Sequence, residues 1–203
     1  MKWLPTRKNK VDAFWQWFLD NEESYFELAE EEREELFDLL HRKLKKVNKH
    51  LAFEFSAEAE DGKREFIISA EGVVDAFEEV FDLHEAAPEL ERFTVIPFRQ
   101  ASQEEFTVNW GDMELTWDDV YYTALKDLER EEVSLNLYIK GLTEENNEEL
   151  ISVVFILLDS VIGEYNMGVH VGHIEFRPFE AHPKARPIHT LKELFPDDFC
   201  EGL

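Results

Sequence analysis

The chain has 203 residues, enough for one large domain or two small ones with a genuine core. Its 44% hydrophobic and 13% aromatic content excludes a disordered chain. With 21 Lys and Arg against 46 Asp and Glu, the net charge is −25, which should repel free nucleic acid and anionic lipid and favour a basic partner.

A lone cysteine, Cys200, excludes an internal disulfide and a thiolate metal cluster. The start, MKWLPTRKNK, is basic but has no apolar segment of about 7–15 residues behind it, so the expected location is the cytoplasm. Lys10–Leu19 sets Val11, Phe14, Trp15 and Phe18 on one helical face. Asp20 and Glu23 have capping-box spacing and predict a second helix running to about Asn48. Its apolar positions are Phe26, Ala29, Leu36, Phe37, Leu40, Leu44 and Val47. Glu22–Asp38 holds nine acids against one base, Arg33, whereas Arg42–Lys49 holds five bases and no acid. Acids early and bases late complement the helix macrodipole.

Leu51, Phe53, Phe55 and Ala57 alternate with polar or small residues, as in a half-buried strand. Asp61-Gly62 turns the chain into Glu65–Ala70, with Phe66, Ile68 and Ala70 on one face. After Gly72 comes a helix bearing Val73, Phe77, Val80, Phe81 and His84, ending before Pro88. Phe93–Phe98 reads as a strand, and Pro97 marks it as an edge strand or a strand end. Phe106, Val108 and Trp110 mirror Trp117, Leu115 and Met113 about Gly111-Asp112, which predicts a hairpin with Phe106 opposite Trp117. Val120–Leu125 and Val133–Ile139 form another strand pair, the second presenting Val133, Leu135, Leu137 and Ile139.

Thr143 is a candidate cap for the most apolar stretch, Leu150–Ile162. Leu150, Ile151, Val154, Leu157, Leu158, Val161 and Ile162 recur at helical spacing, and Val153, Phe155 and Ile156 add apolar surface beside them. Such a helix should be covered on more than one side. Asp159 and Ser160 interrupt it well short of the roughly 20 apolar residues of a membrane span. A last strand, Val169–Phe179, follows Gly168, and Thr190 with Glu193 suggests a capped helical turn in the tail.

Leu51–Arg99 and Val120–Phe179 thus share the order strand, strand, glycine, helix, strand. The expected fold is α+β: a mostly antiparallel sheet of two ββαβ-like units with an inserted hairpin, helices on one face, and an N-terminal helical pair. As a single domain over 1–203, it divides into a helical part (1–49), a first unit (50–99), the hairpin (100–118), a second unit (119–179) and a tail (180–203). The aromatic start Phe14-Trp15-Gln16-Trp17-Phe18, the strand exit Glu65-Phe66-Ile67-Ile68-Ser69-Ala70-Glu71-Gly72 and Ala87-Pro88-Glu89-Leu90 resemble a group of acidic bacterial proteins to which no activity is assigned. The resemblance implies packing and no functional residue.

His170, His173, Glu175 and His182 are the only metal-like grouping, but on a strand His170 and His173 point to opposite faces. Arg177 more naturally pairs with Glu175, so no metal ligand is assigned. Asp118-Asp119, and Asp20 with Glu22 and Glu23, read as solvated turn residues among 46 acids. No phosphate-binding glycine loop or nucleophile elbow occurs. No catalytic residue or cofactor is therefore expected. The acidic segment Glu22–Asp38 could present carboxylates at intervals near the ~3.4 Å phosphate spacing of a nucleic acid strand. Glu30, Glu31, Glu34 and Glu35 are its candidate partner-binding residues. The expected function is a non-enzymatic interaction protein of inhibitor or immunity type that meets a basic partner. The alternative is a small hydrolase using a carboxylate–His cluster near the last strand.

Overall fold

Two strands separated by a helix run parallel when they pair, because the helix carries the chain back to the end from which it started. The computed structural model has this arrangement twice. It describes residues 6–57, 59, 61–102, 104–105, 107–111, 113–179 and 184–195. The chain is α+β and divides into two compact units, Met1–Phe98 and Arg99–Leu203.

In the first unit, helices α1 (Arg7–Leu19), α2 (Glu22–Glu27) and α3 (Arg33–Val47) precede the strands. Strand β1 (Ala52–Phe55) pairs antiparallel with β2 (Arg64–Ser69), setting Phe55 opposite Phe66 and Phe53 opposite Ile68. Asp61 and Gly62 both take left-handed backbone, as an Asp-Gly turn requires. Helix α4 (Phe77–Glu85) then returns the chain to β3 (Phe93–Pro97), parallel to β2 and at the sheet edge, where Pro97 loses no ladder bond.

The core of this unit is aromatic. The fully buried Phe66 ring lies 4.8 Å from Phe18, 5.0 Å from Phe55 and 6.0 Å from Trp15, with Phe93 at 6.2 Å. The polar tips are satisfied: Trp15 Nε1 donates to the Leu83 carbonyl at 2.8 Å, and Tyr25 Oη to that of Leu36 at 2.9 Å.

In the second unit, β4 (Val108–Trp110) and β5 (Met113–Leu115) pair Val108 with Leu115 and Trp110 with Met113, the register that the alternation demands. Phe106 and Asp112 lie outside the described residues, and so does the expected Phe106–Trp117 pairing. Strands β6 (Val120–Asp127) and β7 (Glu132–Ile139) are antiparallel; α5 (Asn147–Ile162) and α6 (Glu164–His170) lead to β8 (Val171–Pro178), parallel to β7. A short β9 (Arg186–Pro187) borders β6, giving the order β8-β7-β6-β9. Strands β6, β7 and β8 thus repeat the antiparallel-then-parallel ladder of β1, β2 and β3. The described strands form three sheets rather than one, and the crossover helices make two of them mixed.

Several local expectations give way to the structure. The long second helix is two, because Leu28 takes a left-handed conformation and its N–H closes α2 on the Ser24 carbonyl. Ala29 is consequently exposed. Asp20 ends α1, so it makes no capping box with Glu23, whose carboxylate pairs with Arg92 at 3.3 Å. Asn146 rather than Thr143 occupies the N-cap position of α5, and its Oδ1 accepts from the Thr143 N–H and hydroxyl instead of from a helix N–H. Gly163, at positive φ, ends α5 and lets the chain bend by 104° into α6, so the last strand starts at Val171 rather than beside Gly168. Thr190 lies within a 3-10 segment, Ile188–Leu194, and donates to the Pro187 carbonyl, while Glu193 pairs with Arg186.

Leu150, Val153, Val154, Leu157, Leu158, Val161 and Ile162 are buried in the second core. Phe155 and Ile156 are each 40% exposed, so α5 has one covered face and one open flank. No single helix among the described residues is long and apolar enough to cross a membrane.

Leu157→Ala should lower stability by about 2–5 kcal/mol, and Phe66→Ala by about 3–5 kcal/mol, in urea denaturation. Ile156→Ala should cost well under half the Leu157 loss. Equal losses at 156 and 157 would contradict the orientation of α5.

Candidate functional site

The acidic segment is held by a corner between α2 and α3. Left-handed Leu28 ends the first helix, and the Tyr25–Leu36 hydrogen bond ties it to the second. Burial pushes the Tyr25 hydroxyl up to about 12, with Arg42 opposing, so it remains a donor at neutral pH. Glu30, Glu31 and Glu32 lie in the connecting turn, while Glu34 and Glu35 occupy the first turn of α3, where the helix dipole favours them.

Two of the nine carboxylates have structural tasks. Glu22, only 8% exposed, accepts from the Arg92 backbone N–H at 2.6 Å. Glu23 pairs with the Arg92 guanidinium, which also lies 3.9 Å from the Phe26 ring centroid. The expectation that both are solvated turn residues is therefore wrong for Glu22. Glu27, Glu30, Glu31, Glu32, Glu34, Glu35 and Asp38 are all exposed and make no salt bridge among the described residues. A recess of about 470 Å³ borders them, lined by Glu32, Glu35 and Asp38, by Leu36 and Leu39, and by Arg42. Such a surface can take cationic side chains at its rim and an aliphatic stem against its leucines.

The histidines of the last strand do not converge. His170 ends α6, with Nδ1 3.2 Å from the Glu131 carbonyl, whereas His173 is exposed on β8. A bulge separates them, since β7 advances from Val133 to Leu135 while β8 advances from Val171 to Ile174. Gly172 occupies the bulge, where a Cβ would come within 2.9 Å of Glu132 Oε2. Glu175 pairs with Arg177 at 2.7 Å, as its spacing predicts, and this bond holds the carboxyl below its ordinary value. His182 lies outside the described residues, among which no group of three His, Cys, Asp or Glu could hold a metal ion.

Asp119 closes a capping box on Thr116, accepting from its N–H at 3.0 Å and its hydroxyl at 2.7 Å. Burial opposes ionisation there, yet these bonds and Lys140 keep the carboxyl below its ordinary range. A further acidic pair escapes the sequence motifs. Glu164 is fully buried, and its Oε2 accepts from the Arg99 N–H at 3.2 Å while its own N–H donates to the Arg99 carbonyl at 2.9 Å. Near it, Asp159 sits in the last turn of α5, where the dipole also disfavours a carboxylate. Burial first, then the Glu164 charge, raises Asp159 to about 6, with Arg99 opposing. The available signal in the sequence is an acid interrupting an apolar helical run, which by itself reads only as a break.

Comparison with known proteins returns no match: no family model fits the sequence, and neither a curated protein nor a solved structure matches it. Function therefore rests on the residues themselves.

Asp159→Asn should stabilise the protein at pH 7 by about 2–3 kcal/mol, because the folded state holds the Asp159 proton more tightly than the unfolded chain does. The raised carboxyl contributes stability at low pH that is lost as pH rises from about 4 to about 6. Urea titrations across that interval should show the advantage of the variant growing with pH. A constant difference would mean that Asp159 titrates normally.

Proposed function

We propose that the chain is a non-enzymatic binding protein of inhibitor or immunity type, whose acidic segment Glu27–Asp38 docks a basic protein in a bacterial cytoplasm. The observation supporting this reading is seven exposed carboxylates without salt bridges among the described residues, beside a recess lined in part by Leu36 and Leu39. Glu30, Glu31, Glu34 and Glu35 belong to that segment, and Glu35 also lines the recess. A surface that keeps so many carboxylates unneutralised raises the local concentration of a cationic partner, and the overall charge of −25 extends that field. Leu36 and Leu39 offer the short-range complementarity that charge alone lacks.

The combined variant Glu30→Lys, Glu31→Lys, Glu34→Lys and Glu35→Lys changes the charge by eight units, from −25 to −17. Reversal at Glu34 and Glu35 should cost α3 roughly 0.3–1 kcal/mol each through the dipole, which circular dichroism and denaturation would register as a modest loss. Binding is measured by capture from a host extract at low and high salt, then by association kinetics with the captured protein. A basic protein should bind the native chain at low salt, leave at high salt, and associate at least about tenfold more slowly with the variant, since long-range charge acts chiefly on encounter. Undiminished association with a folded variant would remove the acidic segment from the interface.

A further inference from the structure

Helix α3 ends with the opposite character. Lys43 and Lys46 on its last turns face Lys10 of α1, and a recess of about 440 Å³ opens between the helices, lined by Asn9, Lys10, Ala13, Phe14, Lys43 and Lys46. The Lys10 ammonium donates to the Val47 carbonyl at 3.2 Å, which fixes its position at the C-terminal end of α3. Lys43 is half-buried, with Nζ 4.4 Å from the Trp17 ring centroid. None of the three ammonium groups has a carboxylate partner among the described residues. Arg7 nearby differs, because Glu78 and Asp82 neutralise it.

In a chain with more than twice as many acids as bases, 46 against 21, three lysines around one recess without a carboxylate partner among the described residues are an unusual concentration of positive charge. Their mutual repulsion is relieved when an anion enters. A carboxylate monoanion offsets one of them, whereas a phosphate group carrying about −1.5 to −2 at pH 7 offsets most of two and presents several acceptor oxygens. Lysine serves phosphate as a point charge, without a bidentate fork. The recess is larger than a bare phosphate needs and falls within the roughly 300–1,000 Å³ of small-ligand pockets. Ala13 and Phe14, which also line the recess, offer apolar surface for the rest of such a ligand.

We propose that the α1–α3 recess binds a small organic phosphate, with Lys10, Lys43 and Lys46 holding the phosphoryl group and Ala13 and Phe14 facing the organic part. The site is distinct from the acidic segment and does not depend on the function proposed for it. Burial, and then the charge of Lys46, lowers the Lys43 ammonium from its ordinary value, so a bound dianion should reverse that shift.

The test uses the full chain, with inorganic phosphate, pyrophosphate and adenosine monophosphate as probes, followed by calorimetry and tryptophan fluorescence. Lys43 lies over Trp17, so a saturable fluorescence change that disappears in Trp17→Phe locates binding at the recess. Adenosine monophosphate should bind more tightly than phosphate, and adenosine alone should not bind. Lys46→Gln, at an exposed position where the change leaves the core intact, should weaken binding by about tenfold, the scale of one charge-assisted hydrogen bond. Lys43→Gln should do the same, and Lys45→Gln, outside the recess, should not. No saturation up to millimolar probe, or equal weakening by Lys45→Gln and Lys46→Gln, would overturn the proposal in favour of general charge screening.

Discussion

Both units depend on one constraint: a parallel strand pair must be joined by a crossover, and the crossover must be covered by, and must cover, an apolar sheet face. In the first unit the chain meets it with rings. Phe77 and Phe81 of the crossover α4 lie 4.6 and 5.0 Å from Phe98 just after β3, and Phe66 on the central strand β2 sits among Phe18, Trp15, Phe55 and Phe93, so α1 and the sheet share an aromatic interior. In the second unit the same constraint is met with aliphatic side chains, as α5 buries Leu157, Leu158 and Val161 among Leu135, Leu137 and Ile139 of β7. The two interiors differ in chemistry but follow from one strand order.

Charge is distributed along this scaffold with a clear polarity. Helix α3 begins among carboxylates and ends among ammonium groups that make no salt bridge among the described residues. That order stabilises the helix through its dipole, yet the dipole needs only the terminal turns. Carboxylates continue upstream through Glu30 and Glu27, and lysines recur on α1 at Lys10, so the segregation extends beyond what the helix requires. Two recesses of opposite sign lie along one helix, each lined in part by apolar side chains.

Buried polar groups in both units act as clasps. Glu22 holds the Arg92 backbone, Tyr25 holds the α2–α3 corner, and Glu164 exchanges two hydrogen bonds with Arg99. Each joins segments far apart in sequence or at a break between helices, where regular ladders supply no partner. Asp159 differs: it is largely desolvated near another acid, and the raised carboxyl records the cost.

Local pattern in the sequence determined most of the strands, though not β9 or the start of β8, together with the Val108–Leu115 register, the edge position of Pro97, the Arg177–Glu175 pair and the buried stripe of α5, because each depends on neighbours within a few residues or on one apolar face. The exposed positions of Glu30, Glu31, Glu34 and Glu35 were legible for the same reason. Tertiary structure alone decided the break between α2 and α3 and the use of Glu22 as a buried acceptor. Leu28 carries no residue signal for a left-handed cap, and the break exists because Tyr25 and Leu36 are held together in the folded unit. Glu22 and Glu35 are chemically identical in the sequence. Only the folding of Arg92, 70 residues from Glu22, beside the start of α2 makes one a buried acceptor and leaves the other on the surface. Likewise the lysines of α1 and α3 read separately as a basic start and a helix end, and they become a single recess only when the two helices pack. Local pattern encodes which face is apolar, whereas the partner of a polar group is chosen by long-range packing.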